Sequence, residues 1–209
     1  MTNTFFDKKS ISDSKSTERL KIVFQYLSTV LVAFVIGALI SGACSDIFYL
    51  NSKNEISAHF NGIFSGINDF KSVFIALARY SQPCIISVLI IFLTSFSPIN
   101  YLISDIIIFI FGIRCGASVA VLLNLVLTSE FALLHFAVFA TFKLFILASL
   151  ISYSYKAALI SLSGALIVKN GRRLIKPNKL IWFIAFTAAY AGAFILINGA
   201  YCFIIYLLK

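Results

Sequence analysis

Apolar residues along this chain gather into long runs, and one of them, residues 102–127, carries a single cation, Arg114, near its middle. A helix that is apolar on all sides is either a deep core helix or a membrane span. At about 1.5 Å per residue this one can cross a hydrocarbon layer of roughly 30 Å, so it predicts a transmembrane helix. The same reading places spans at about residues 22–43, 80–97, 131–152 and 180–208. The second has its apolar centre at residues 83–96 and reaches full length only by extending back through Arg79 and Tyr80. Pro98 supports a turn at residues 97–100, and Thr128, Ser129 and Glu130 make the next, with Ser129 placed to cap a helix from Phe131.

Two stretches depart from this pattern. In the first, Ile56, Phe60, Ile63, Phe64, Ile67, Phe70 and Phe74 recur at steps of three and four, with Asn61, Asn68, Asp69 and Lys71 between them. This spacing predicts an amphipathic helix over about residues 55–75, lying in the membrane interface or over the bundle. Its apolar face is also the candidate surface for a partner, with Phe60, Phe64 and Ile67 at its centre. In the second, residues 131–168 are too long for one span and too short for two with a loop. Ser152, Tyr153, Ser154, Tyr155 and Lys156 have the character of a membrane interface, so residues 157–168 are expected to lie along or below the membrane.

Residues 1–20 are polar and expected to be a disordered basic tail. The run at 22–43 has the basic flank of a signal peptide but exceeds a signal core of about 7–15 residues, and we read it as a retained signal anchor. The fold class expected is all-α: one polytopic membrane helix bundle of about five transmembrane helices plus an external amphipathic helix.

Composition agrees, with 60% hydrophobic and 12% charged residues against about a quarter charged in an average soluble domain. The net charge of +9 is concentrated at two places: Lys8, Lys9, Lys15, Arg19 and Lys21 precede the first span, and Lys169, Arg172, Arg173, Lys176 and Lys179 form a basic loop over residues 169–179. Basic clusters beside spans mark the cytoplasmic side, and an even number of crossings must separate two of them. Four do here, which puts the N-terminus in the cytoplasm and residues 44–79 outside. The lipid bilayer, and not nucleic acid, is the partner this charge implies, since no base-reading fold is visible.

Polar residues inside the spans are the remaining candidates. Gly112 and Gly116 stand four apart beside Arg114, with Ser118 near, a spacing that lets a second helix approach closely. Counting from Ser129, Arg114 lies 129 − 114 = 15 residues back and Lys143 lies 143 − 129 = 14 residues on, so a hairpin puts both at one depth. Two cations there repel; they face different directions or share carbonyls, water or a lipid headgroup. Asp105 and Lys156 fall together by the same count and are candidates for an ion pair.

No nucleotide-binding loop, nucleophile elbow or metalloprotease helix is present, and His59 and His135, the two histidines, match no metal-ligand spacing. Cys44, Cys84, Cys115 and Cys202 are scattered and read as packing residues. Neither enzyme chemistry nor a cofactor is therefore expected. Arg114, Lys143, Asp105 and Asn124 can be imagined lining a polar path, but the internal repeat shown by many transporters is not evident.

With the spans placed, the layout resembles the stage II sporulation protein M family of spore-forming Firmicutes. The shared features are a basic tail and first span, an external loop with aromatic residues at helical spacing, and two closely joined helices. They continue with the small-residue stretch FGIRCGASVAVLLN at residues 111–124 and the closing GAYCFIIYLLK at 199–209. Gly199 stands where the family's closing stretch carries a carboxylate. The resemblance implies a non-catalytic scaffold in the mother-cell septal membrane, holding the peptidoglycan-degrading stage II sporulation proteins D and P during engulfment. The alternative is a small membrane transporter or permease-associated subunit.

Overall fold

The computed structural model describes residues 3–43, 70–97, 99–127, 133–168 and 177–207. These form five helices and, among the described residues, no strand: α1 (Asn3–Ala43), α2 (Phe70–Thr94), α3 (Asn100–Leu127), α4 (Leu133–Val168) and α5 (Pro177–Leu207). Each holds a stretch long and apolar enough to cross a membrane: Arg19–Gly42, Phe70–Thr94, Asn100–Asn124, Leu133–Ser161 and Leu180–Leu207. Large apolar side chains such as Phe24, Leu39, Leu93, Leu144 and Leu196 are exposed on the outside of the bundle. Facing water, so much apolar surface would be strongly unfavourable; facing lipid, it is at home. The chain is an all-helical bundle with the build of a multi-pass membrane protein.

The tightest joint is between α1 and α3. A Cβ on Gly37 would collide with the backbone of Ile113, one on Gly116 with the backbone of Phe34, and one on Gly112 would stand 2.7 Å from the Cβ of Ala33. Lipid tails give helices no hydrophobic reason to associate, so close backbone approach with its dense van der Waals contact holds such a pair together. Residues 30–37 meet residues 112–116, and Tyr26 lies beside Tyr101 with ring centroids 5.9 Å apart. The two helices therefore run parallel, and α2 returns the chain between them.

The pairs α2–α5 and α4–α5 are antiparallel. Phe92 stacks on Phe183 and Tyr80 meets Tyr201 edge-on, which joins α2 to α5. Tyr153 and Ser152 share hydrogen bonds with Thr187 and Tyr190, which joins α4 to α5. The α2–α3 turn is fixed from inside: the fully buried Asn100 donates to the Ile91 carbonyl and the Thr94 hydroxyl and accepts weakly from Ser104, while Ser161 of α4 donates to the Ser97 carbonyl. Starts of the α1 span, α3 and α5 thus share the end of the bundle that holds this turn, here termed the turn end. Both basic clusters flank the turn end in sequence.

Several expectations change. The tail at residues 1–20 is helical from Asn3, because extending an existing helix adds one hydrogen bond per residue ordered and no Gly or Pro interrupts it. Most of the amphipathic segment 55–75, with Phe60, Phe64 and Ile67, lies outside the described residues, as does most of the basic loop 169–179; Phe70 and Phe74 belong to the first turns of α2 itself. Span two thus begins at Phe70 and takes Arg79 and Pro83 inside it. In the 152–156 segment Tyr153 and Ser154 are buried against the bundle, and α4 continues unbroken to Val168. Its 36 residues reach about 54 Å, well beyond the hydrocarbon layer.

Replacing Gly116 with Leu should force α1 and α3 apart and destabilise the protein by about 1–3 kcal/mol, as overpacking does. Gly192→Ala, where nothing lies within 4 Å, should be neutral or mildly stabilising. Thermal unfolding of the two purified variants in one detergent reads the difference.

Candidate functional site

Two groups of polar residues in the spans hold the charged candidates Asp105, Arg114 and Lys143. Asp105 lies one turn into α3, where Thr29 donates to it at 2.8 Å and Gln25 at 3.3 Å, both from α1. Position 105 reaches α1 because the glycines bring the helices together about two to three turns further along. A carboxylate in a span needs donors, and these two take the place expected of Lys156. The Lys156 ammonium instead stands over the Phe186 ring, 6.0 Å from its centroid. This joint is structural.

The second group surrounds a cavity of about 370 Å³ between α2, α3, α4 and α5. Arg79 enters from α2, Arg114 from α3 and Lys143 from α4, with Tyr80, Ser118 and Asn198 as neutral polar neighbours and Cys84 and Cys115 in the wall. No carboxylate is among the described residues lining it. The Lys143 ammonium also sits 5.2 Å from the centroid of the Phe139 ring, whose face offers partial compensation for its charge. Arg114 and Lys143, expected at one depth, are at one depth and share one cavity. The open question of their directions resolves towards a shared centre.

Two features of the chain shape this centre. Pro83 has no N–H, so it removes the helical hydrogen bond that the Arg79 carbonyl would accept, one turn back on the cavity side. The glycines of α3 face α1, and that turns Arg114, two residues from each, away from α1 and towards the cavity. The small residues therefore decide which way the arginine faces. A void of about 10 Å³ adjoins the cavity, sharing Tyr80, Lys143 and Asn198 with it and adding Tyr201. Tyr201 is buried among Tyr80, Phe139 and Phe142, and its hydroxyl has no hydrogen-bond partner among the described residues.

Arg79 is the residue that sequence reasoning missed, although counting across the turn would have found it. It lies 97 − 79 = 18 residues before Ser97, and Arg114 lies 114 − 97 = 17 after it. Asn124, considered for a polar path, and Asp105 are not among the residues lining this cavity. Cys84, Cys115 and Cys202 are free thiols, and among the described residues no group of His, Cys, Asp and Glu is arranged to hold a metal ion.

Fold and cavity together define the class: a polytopic helical membrane protein with a cation-lined chamber in its bundle. No family model matches the chain, and neither does any curated protein or solved structure.

Because the Asp105 joint is structural, its loss should show in stability. Interhelical hydrogen bonds in membranes contribute about 0.6 kcal/mol each and at most about 1.7. Asp105→Leu, which leaves Thr29 and Gln25 without their acceptor, should lower the thermal midpoint by the equivalent of about 1–2 kcal/mol, and Asp105→Asn by less. An unchanged midpoint for Asp105→Leu would contradict the assignment.

Proposed function

We propose that this chain is a non-catalytic membrane scaffold acting in endospore formation. The observation that carries the structural half is the α1–α3 pair, where glycines bring the two backbones into direct contact. Alternating access needs one part of a bundle to rock against another, whereas a scaffold needs a fixed post. This post holds the ends of segment 44–69 where α1 finishes and α2 begins, both opposite the turn end. The sporulation half rests on the sequence resemblance alone.

On this reading the N-terminus is cytoplasmic, since both basic clusters flank the turn end. Phe60, Phe64 and Ile67 then present an external apolar face to membrane-anchored peptidoglycan hydrolases, the stage II sporulation proteins D and P, at the mother-cell septal membrane. Hydrolysis belongs to those partners.

A second reading, a small transporter or permease-associated subunit, is favoured by one observation: the chamber lined by Arg79, Arg114 and Lys143. Loss of solute flux in Arg114→Gln, with engulfment intact, would support it over the scaffold.

The scaffold reading predicts that Phe60→Ser, Phe64→Ser and Ile67→Ser together release the hydrolases in co-purification while the protein still inserts at normal levels. Membrane-dye microscopy of sporulating cells carrying this variant should show septa that form and engulfment that stalls. Unchanged co-purification, or normal engulfment in cells lacking the gene, would refute the reading.

A further inference from the structure

We infer that the chamber between α2, α3, α4 and α5 is a binding site for a phosphate group. Three cations surround a volume of about 370 Å³, within the range of small-ligand pockets, and no carboxylate among its described lining offsets them. Cations inside a membrane are rare because they lose their hydration, and they persist where a counter-charge or functional ligand compensates them. Asp105, the carboxylate of the described spans, is already engaged by Thr29 and Gln25 on the α1 side of α3. Among the described residues, then, no carboxylate supplies the counter-charge, and a bound anion can.

The donor set selects the chemistry. Two guanidinium groups present planar forks that match the oxygens of a phosphate, and an ammonium adds a compact third charge. Tyr80 adds a hydroxyl, Asn198 the one amide hydrogen not given to the Phe194 carbonyl, and the Tyr201 hydroxyl, unpartnered among the described residues, belongs to a side chain lining the adjoining void. A halide would use few of these directional donors, whereas a phosphate group spreads its non-bridging oxygens tetrahedrally, three on a monoester and two on a diester, and each can accept from more than one of these cations.

Depth leaves two sources for that group. Arg114 lies 13 residues from the α3 end at Leu127, and Lys143 lies 10 residues from the α4 start at Leu133, about 15–20 Å along the helix axes from the end opposite the turn. A lipid headgroup can be drawn that far down between helices, and so can a soluble phosphate ester entering from the same end. The inference holds under either reading of function, since neither names what the chamber binds.

Thermal unfolding of the purified full-length protein tests it. Three conditions are compared with chloride buffer in phosphatidylcholine nanodiscs: phosphatidylglycerol nanodiscs, inorganic phosphate, and glycerol 3-phosphate. At least one should raise the midpoint by roughly 5 °C or more at saturation. A shift with phosphatidylglycerol alone assigns a lipid headgroup; a shift with either soluble probe assigns a free phosphate. Arg114→Gln with Lys143→Gln should abolish the shift, and Arg114→Lys should retain part of it. Arg79→Gln, at an exposed position, is the variant least prone to misfold and should raise the half-saturating concentration roughly tenfold. No shift with any probe, or shifts unchanged in those variants that fold, would overturn the assignment.

Discussion

Close backbone contact between α1 and α3 is the constraint on which the rest of this bundle depends. Gly37, Gly112 and Gly116 leave no room for a Cβ, so each helix lies against the peptide groups of the other. Within lipid such contact is one of the few attractive forces available, and it works only where side chains are absent. It makes α1 and α3 parallel. Connectivity then forces α2 back between them, puts α4 antiparallel to α3, and leaves α5 to pack against α2 and α4 through aromatic rings and shared hydroxyls.

The same contact decides where the charges go. One side of α3 is committed to α1, and its carboxylate is matched there by Thr29 and Gln25. The other side carries Arg114 into the space that α2 and α4 also supply with cations. Opposite charges thus lie on opposite sides of one helix, separated by its own backbone, and cannot neutralise one another at contact distance. That separation leaves the chamber positive and gives it the chemistry of an anion site.

Much of this was legible in the sequence because span length and apolar character are local properties. Five spans, the close approach at Gly112 and Gly116, and the shared depth of Arg114 and Lys143 follow from run lengths and from counting across a turn. What was not legible depended on neighbours. Tyr201 reads as an interfacial anchor from its place near a chain end, yet Tyr80 and Phe139 enclose it. Ser152 and Tyr153 read as interfacial from their polarity, yet Tyr190 and Thr187 supply partners inside the bundle. Arg79 fell at the margin of the expected span because the apolar run is continuous only from residue 83; the helix in fact begins nine residues before Arg79 and carries Pro83 inside it, as membrane helices tolerate. Asp105 and Lys156 shared a depth but not a face.

The parallel α1–α3 pair is the central claim, and disulfide trapping tests it most directly. In a chain with its own cysteines replaced by alanine, cysteines at Thr29 and Asp105, whose side chains meet at 2.8 Å, should cross-link rapidly under mild oxidation in membranes. A pair at Thr29 and Ser118, adjacent only if the helices ran antiparallel, should not. Cross-linking at 29 and 118 without cross-linking at 29 and 105 would reverse α1 and separate the two basic ends, and with them the chamber's place in the bundle would have to be redrawn.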